Sequence, residues 1–162
     1  MNERASEPSD TTRLLIVHHT PSPATAELLD EVRAGAADPE ISGVRTVARA
    51  ALAATASDLL AADAVLLGTT ANIGYMSGAL KHFLDQVYYV CADDTRGLPY
   101  GLWVRGGSDT SGAVRSVTTI AEGMGWTAAA APVELTGAPD ADARAACREL
   151  GAVLAATVMP EG

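Results

Sequence analysis

Three hydroxyl side chains stand close together in one predicted loop. Thr20, Ser22 and Thr25 fall within six residues, after the apolar run Leu14–Val17 and before a segment with helical character. Hydroxyls and the free N–H groups at a helix N-terminus bind phosphate without a cationic side chain. Since residues 14–32 contain no Lys or Arg, an anion here would be held in that way. The alternative is that the hydroxyls only cap the helix, Thr25 above all.

A second chemically rich loop follows the apolar segment Ala64–Gly68, which suits a strand buried on both faces. The loop offers amide, apolar and aromatic groups and a glycine that permits unusual backbone angles. Its candidate residues are Thr70, Ala71, Asn72, Ile73, Gly74, Tyr75 and Met76. This composition suits the rim of a flat ligand.

A third loop is small and polar, so that a flat ligand can approach its backbone. Its candidate residues are Gly106, Gly107, Ser108, Asp109 and Gly112. The alternative is a simple turn, in which Ser111 or Asp109 caps the following helix.

The three loops follow the first, third and fourth predicted strands. In an open parallel sheet, ligands bind outside the carboxyl ends of the strands, where the strand order reverses. A phosphate at one end and a flat ring rimmed by amides at the other describe flavin mononucleotide (FMN). In the first loop, the candidate cofactor-binding residues are His19, Thr20, Ser22, Ala24 and Thr25.

Apolar runs alternate along the chain with segments of helical period. The predicted strands cover residues 13–18, 43–49, 64–68 and 100–105, with a fifth that begins near Trp126 and is bent by Pro132. The predicted helices cover residues 24–35, 77–90, 112–124 and 140–158, with a short turn of helix from Ser57 or Asp58 to Leu60. Such alternation predicts an α/β fold, with a parallel sheet between helices on both faces.

Composition limits the remaining possibilities. The 162 residues predict one domain over 13–160, after a disordered leader over 1–12. A net charge of −9 argues against nucleic acid and anionic membranes as partners. No apolar run approaches the roughly 20 residues that span a bilayer. Cys91 and Cys147 have no metal-ligand spacing, which indicates reduced thiols in a cytoplasmic protein and no metal site.

Other nucleotide sites lack their signatures. The sequence has no G-x-x-x-x-G-K-[ST] and no G-x-G-x-x-G after the first strand. A phospho-acceptor receiver domain shares this topology but needs an acidic pair where this chain has His18 and His19.

The loop spacing Thr20-x-Ser22-x-x-Thr25 is similar to the phosphate loop of flavodoxins. Residues 62–69, followed by Gly74 and by the segment Gly78–Asp85, resemble the core motif of the flavodoxin-like NAD(P)H-dependent FMN and quinone reductases. The resemblance spans roughly residues 13–158. The chain departs from this pattern at Thr70, where the family usually has Pro, and in the first loop, where Pro23-Ala24 replaces Gly-Asn.

The resemblance implies a flavodoxin-like three-layer sandwich, with a five-stranded parallel sheet in the order 2-1-3-4-5. It implies FMN as cofactor and hydride transfer from NADH or NADPH to a quinone, a flavin or a similar acceptor. No catalytic side chain is required, because the flavin carries the chemistry. Two alternatives stay open: a one-electron carrier that serves a redox protein, and a flavin-free scaffold.

Aromatic residues suggest further contacts. Tyr75, Tyr88 and Tyr89 are candidates to stack on the ring, although core or dimer contacts explain the last two equally well. Such reductases often pair, and the helix end Tyr88–Val90 is unusually apolar for a surface, so a homodimer is predicted. Lys81 and Asp85 are four residues apart on one helix and are expected to form an ion pair.

Overall fold

The computed structural model describes residues 11–161. Most of the predicted leader, residues 1–10, lies outside the described residues. The strands are β1 Thr12–His18, β2 Val44–Ala50, β3 Ala64–Asn72, β4 Tyr75–Met76, β5 Pro99–Gly106, β6 Thr127–Ala128 and β7 Val133–Thr136. The helices are α1 Pro23–Ala36, α2 Ala56–Leu60, α3 Gly78–Cys91, α4 Ser111–Gly123 and α5 Ala141–Thr157.

The sheet has the predicted parallel core. Its strand order is β2-β1-β3-β5-β6, and β7 also pairs with β5 in parallel. β5 is the fourth predicted strand, and β6 with β7 forms the fifth, so the predicted order 2-1-3-4-5 is confirmed. The fifth strand is interrupted just before β7 by Pro132, whose nitrogen cannot donate to the ladder.

Alternating strand residues supply two separate hydrophobic cores. Leu15 and Val17 of β1 face a core shared with α3 and α4, whereas Leu14 and Ile16 face a core shared with α1 and α5. Because β1 and the first part of β3 are covered on both faces, their sequences are continuous apolar runs. The predicted three-layer α/β sandwich is therefore confirmed.

The two cysteines lie in different cores and are both unpaired. Burial raises the pKa of the Cys147 thiol to about 12 and also raises that of Cys91. Both thiols are therefore protonated at neutral pH.

The short helix α2 starts one residue before the predicted range. Thr55, rather than Ser57 or Asp58, is its N-cap. The Thr55 hydroxyl accepts a hydrogen bond from the Asp58 N–H at 3.2 Å, and the Asp58 carboxylate accepts one from the Thr55 N–H at 2.9 Å. This reciprocal capping box places Asp58 in the first turn of the helix.

The third predicted strand is longer than expected. It was predicted to end near Gly68, but β3 continues to Asn72 because its polar end pairs with β5 as far as the Thr70–Arg105 register. The chain then turns through Ile73-Gly74 and returns as β4. The predicted second loop is therefore mostly a β-hairpin, and only Ile73-Gly74 forms its turn.

Candidate functional site

The predicted loops after β1, β3 and β5 meet at the carboxyl edge of the sheet. The His19 N–H donates to the Gly68 carbonyl at 3.0 Å, which joins the first loop to β3. A Cβ added at Gly106 would lie 3.0 Å from the Cβ of Ala71, and one at Gly112 would lie 2.1 Å from the Gly74 oxygen. The hairpin and the third loop are therefore in direct contact.

The first loop ends in a capping box at the start of α1. Ser22 is the N-cap, and its hydroxyl accepts from the Thr25 N–H at 3.3 Å. The Thr25 hydroxyl accepts from the Ser22 N–H at 3.0 Å and donates to the Ser22 carbonyl at 2.9 Å. Ser22 and Thr25 therefore cap α1. The buried Thr25 hydroxyl donates its hydrogen within this box, whereas the Ser22 hydroxyl is half-buried and can rotate.

Thr20 stands apart from the capping box. Its hydroxyl lies 3.1 Å from Nδ1 of His18, the last residue of β1. Burial, then the nearby Arg33 and His19, lowers the pKa of His18 below its ordinary value of 6.5. His18 is thus mainly neutral at pH 7. It was not among the candidate cofactor-binding residues of the first loop.

The hairpin exposes part of the predicted second loop and buries the rest. Ile73 and Tyr75 are exposed, whereas the Met76 side chain is only 2% exposed. The Met76 N–H donates to the Ser116 hydroxyl of α4 at 3.2 Å. The Thr70 carbonyl accepts from the Thr69 hydroxyl at 2.8 Å. Asn72, Ile73, Gly74 and Tyr75 are therefore the exposed residues of this loop.

Residues that sequence reasoning did not single out hold the hairpin in place. The Ser77 N–H donates to the Thr69 hydroxyl at 2.9 Å, and the Ser77 hydroxyl caps α3 by accepting from the Leu80 N–H at 3.2 Å. Ser116 fixes β4 from the other side. These residues are buried and polar. Ser116 pairs with Met76, which is 40 residues away, so no local sequence pattern indicates this contact.

The third loop combines an open glycine with a turn. A Cβ added at Gly107 would have no atom within 4 Å, so the space beside it is free. Asp109 accepts a hydrogen bond from the Ser111 N–H at 2.9 Å, and its contacts with the Ser111 hydroxyl and N–H lower the pKa of its carboxyl. The N-cap of α4 is Thr110, which makes no side-chain cap and donates to Glu134 instead. Ser108 is exposed beside Gly107.

The three candidate tyrosines line one cavity. Tyr75, Tyr88 and Tyr89 surround about 230 Å³ between the hairpin, α3 and Ile120 of α4. Tyr88 and Tyr89 touch edge to face, with ring centroids 5.1 Å apart. Tyr88 is half-buried, but Tyr89 is 91% exposed. The predicted Lys81–Asp85 ion pair is present at the rim of this cavity, and its hydrogen bond raises the pKa of Lys81.

No group of three or more His, Cys, Asp or Glu side chains within residues 11–161 is arranged to hold a metal ion. None of the helices described there is both long enough and apolar enough to cross a bilayer.

Comparison with solved structures identifies the fold. An archaeal flavodoxin superposes with a TM-score of 0.79 at 17% identity, over 91% of this chain and 99% of that one. A WrbA-like flavodoxin from Agrobacterium tumefaciens superposes with a TM-score of 0.71 at 17% identity, over 91% of this chain and 98% of that one. A flavodoxin from Streptococcus pneumoniae superposes with a TM-score of 0.75 at 20% identity, over 90% of this chain and 99% of that one. No protein-family model and no curated protein matches the sequence.

The chain therefore has a flavodoxin-like fold. At these identities the likeness concerns the backbone architecture, and it extends along nearly the whole of each solved chain. What the site binds depends on its own residues.

Proposed function

We propose that this protein binds FMN at the carboxyl edge of its sheet and acts as a redox protein. The observation that carries the proposal is the meeting of the three loops there. One loop offers hydroxyls at a helix N-terminus, and the other two offer exposed backbone beside open space. A phosphate and a flat ring need these two kinds of surface side by side.

The phosphate end fits the first loop. The 14-residue helix α1 begins with Pro23, so the Ala24 N–H is among the first-turn donors that have no acceptor within the helix. Thr20 stands outside the capping box, and the Ser22 hydroxyl can turn outward while Thr25 keeps its bonds. These donors, with the positive end of the helix dipole, suit a phosphate in a loop that has no Lys or Arg.

The ring end fits the hairpin and the third loop. Asn72, Ile73 and Tyr75 are exposed on one side, and Gly107 and Ser108 on the other. The open space beside Gly107 permits close approach to its backbone. Ala71 packs against Gly106, and Gly74 packs against Gly112. These two contacts join the hairpin to the third loop.

Among redox functions, we favour an NAD(P)H-dependent reductase that passes electrons to a quinone, a flavin or a similar small acceptor. FMN supplies the hydride chemistry when it is bound, so the chain needs to bind and orient rather than to transfer protons. Only Tyr75 offers an aromatic ring from these loops. One ring face would then be left open to a nicotinamide.

A one-electron carrier is the second candidate. It is supported by the likeness to flavodoxins along nearly their full length. A net charge of −9 would suit docking on a basic redox partner. We propose the cytoplasm as compartment because both cysteines are unpaired.

The absorbance spectrum of the purified protein, followed by anaerobic titration with NADH and NADPH, tests the proposal. A flavin spectrum that bleaches by two electrons without a semiquinone supports the reductase. A stable blue semiquinone and no reaction with either nucleotide supports the carrier. A protein that neither contains nor takes up FMN is the flavin-free scaffold, and the proposal is then wrong.

A further inference from the structure

His18 is joined by a hydrogen bond to the one first-loop hydroxyl that the capping box does not use. Its Nδ1 lies 3.1 Å from the Thr20 Oγ1. Both residues are half-buried and line a cavity of about 210 Å³ with His19, Pro21 and residues of the β2–α2 connection. The contact therefore lies within the first loop, two residues before Ser22.

We propose that His18 is a positioning residue for Thr20, and that a proton on its Nδ1 makes the Thr20 hydroxyl a donor to a phosphate monoester. The inference rests on the proposed function, because it concerns how the first loop holds the FMN phosphate. It adds a pH-dependent control of affinity that neither the hydroxyl pattern nor the helix N-terminus provides.

The chemistry follows from the single hydrogen of a hydroxyl. If Nδ1 of His18 is unprotonated, it accepts that hydrogen, and the Thr20 oxygen can only present lone pairs to an anion. If Nδ1 is protonated, it donates to Oγ1, and the hydrogen of Thr20 is free to point at a phosphate oxygen. Hydrogen bonds to a charged group are shorter and stronger than neutral ones. A neutral ring with its hydrogen on Nδ1 gives the same arrangement as the imidazolium. Because only the imidazolium carries a positive charge, a phosphate dianion beside Thr20 selects the doubly protonated ring.

In the protein without ligand, the surroundings of His18 disfavour its protonation. Its neighbours in the sheet, Ala50 of β2 and Gly68 of β3, carry no charge. Burial comes first, followed by Arg33 of α1 and by His19, and together they lower the pKa of His18. A phosphate dianion beside Thr20 would offset all three effects and raise this pKa. By linkage, FMN would then bind more tightly as the pH falls.

The same shift affects stability without ligand. Because the folded-state pKa of His18 is below 6.5, the unfolded chain takes up the proton more readily. Stability is therefore lost as the pH falls from the unfolded-state pKa toward the folded one. FMN should reduce this loss, whereas riboflavin, which has no phosphate, should not.

The test measures the ratio of the riboflavin Kd to the FMN Kd between about pH 5.5 and 8. It compares wild-type protein with His18→Asn, which keeps an N–H donor but cannot titrate, and with His18→Leu, which removes the donor. His82→Gln, on the exposed side of α3, is the matched control. Effects of the ionisation of FMN itself are common to all four proteins and cancel when the ratios are compared.

As the pH falls from about 8 to 5.5, we expect the ratio of the riboflavin Kd to the FMN Kd to rise about fivefold more in the wild-type protein than in His18→Asn. A difference of this size corresponds to a rise of roughly one unit in the pKa of His18 when FMN binds. His18→Asn should keep tight binding, His18→Leu should lose it at every pH, and His82→Gln should behave as wild type. NMR titration of the histidine ring protons should show the pKa of His18 rising with FMN and not with riboflavin.

The possible failures are distinct. If FMN binds more tightly than riboflavin but the pH profiles of wild type and His18→Asn coincide, or the pKa of His18 does not move, then His18 is only structural and this inference is wrong. If FMN does not bind at any pH, the proposed function fails and the inference fails with it.

Discussion

At the scale of single residues, Ser22 and Thr25 show how one pair of hydroxyls can serve both the fold and a ligand. Thr25 is 5% exposed and makes its bonds within the capping box. The Ser22 hydroxyl lies 3.0 Å from the Thr25 hydroxyl, and its hydrogen can turn from there toward a ligand. Capping and phosphate binding are therefore compatible at Ser22, whereas Thr25 mainly holds the helix start.

Ser22→Ala should weaken FMN binding by about 1 kcal/mol or more, the scale of a hydrogen bond to a charged group. Thr25→Ala should weaken it less, because the Thr25 hydroxyl donates its hydrogen within the capping box. Each should also lower the free energy of unfolding by about 1 kcal/mol, because a helix cap is lost. Fluorescence titration gives the affinities and urea unfolding gives the stabilities. Riboflavin affinity should not change. Equal losses for FMN and riboflavin would place the phosphate elsewhere.

Gly107 gives a test that separates ligand from fold. A Cβ there meets no protein atom within 4 Å, so Gly107→Val should fold normally. If the ring lies against this backbone, the added side chain should reduce FMN affinity at least about tenfold, because it occupies the space of the ligand. Asp109→Asn, two residues on and exposed, is the control and should change affinity little. A folded Gly107→Val protein with full FMN affinity would show that the third loop is only a turn.

At the scale of elements, the β3–β4 hairpin is the least regular part of the site. Its two turn residues have positive φ angles, 50° at Ile73 and 72° at Gly74. A two-residue turn of this kind favours Asn-Gly, and a β-branched residue there is strained. Ile73 is also fully exposed, so packing does not repay the strain. Strain of this kind at a candidate site is consistent with a role in ligand contact.

Ile73→Asn should therefore raise the free energy of unfolding by about 1 kcal/mol, the cost of a left-handed conformation for a residue with a Cβ branch. Ile73→Val keeps the branch and is the matched control, which should leave stability nearly unchanged. Urea unfolding of the three proteins measures both effects. An Asn variant no more stable than the Val variant would mean that the turn is not strained.

Sequence periodicity was sufficient to predict most helices and strands, because buried strands and amphipathic helices carry their hydrophobic pattern locally. The helix over residues 77–90 and the buried start of β3 are examples. The end of β3 was missed since its polar residues, up to Asn72, owe their pairing to β5 and to the hairpin turn. The contacts of Thr69 with Ser77, and of Met76 with Ser116, likewise depend on distant residues that no local pattern records.

At the scale of the whole molecule, the end of α3 exposes two large apolar side chains beside the candidate site. Tyr89 is 91% exposed and Val90 is 63% exposed at the end of α3. Tyr75 and Tyr89 line the same cavity, so this surface reaches from α3 to the hairpin. Large apolar side chains exposed side by side commonly mark an interface between proteins.

We expect a homodimer that covers this surface. Sedimentation at about 50 µM protein should give the mass of two chains, and dilution should dissociate them. Tyr89→Arg should shift the equilibrium toward monomer, whereas Leu60→Arg, which changes another exposed apolar residue on α2, should not. A wild-type monomer at this concentration would remove the dimer and would favour the electron carrier over the reductase.

The proposed function and the role of His18 both rest on the claim that FMN binds with its phosphate in the first loop. Equilibrium titration of FMN and of riboflavin against the wild-type protein, followed by flavin fluorescence, tests this claim directly. We predict saturable quenching by the protein, with FMN bound at least about tenfold more tightly than riboflavin, because hydrogen bonds to a charged phosphate are strong. Equal affinities for the two flavins, or no binding of FMN, would contradict it.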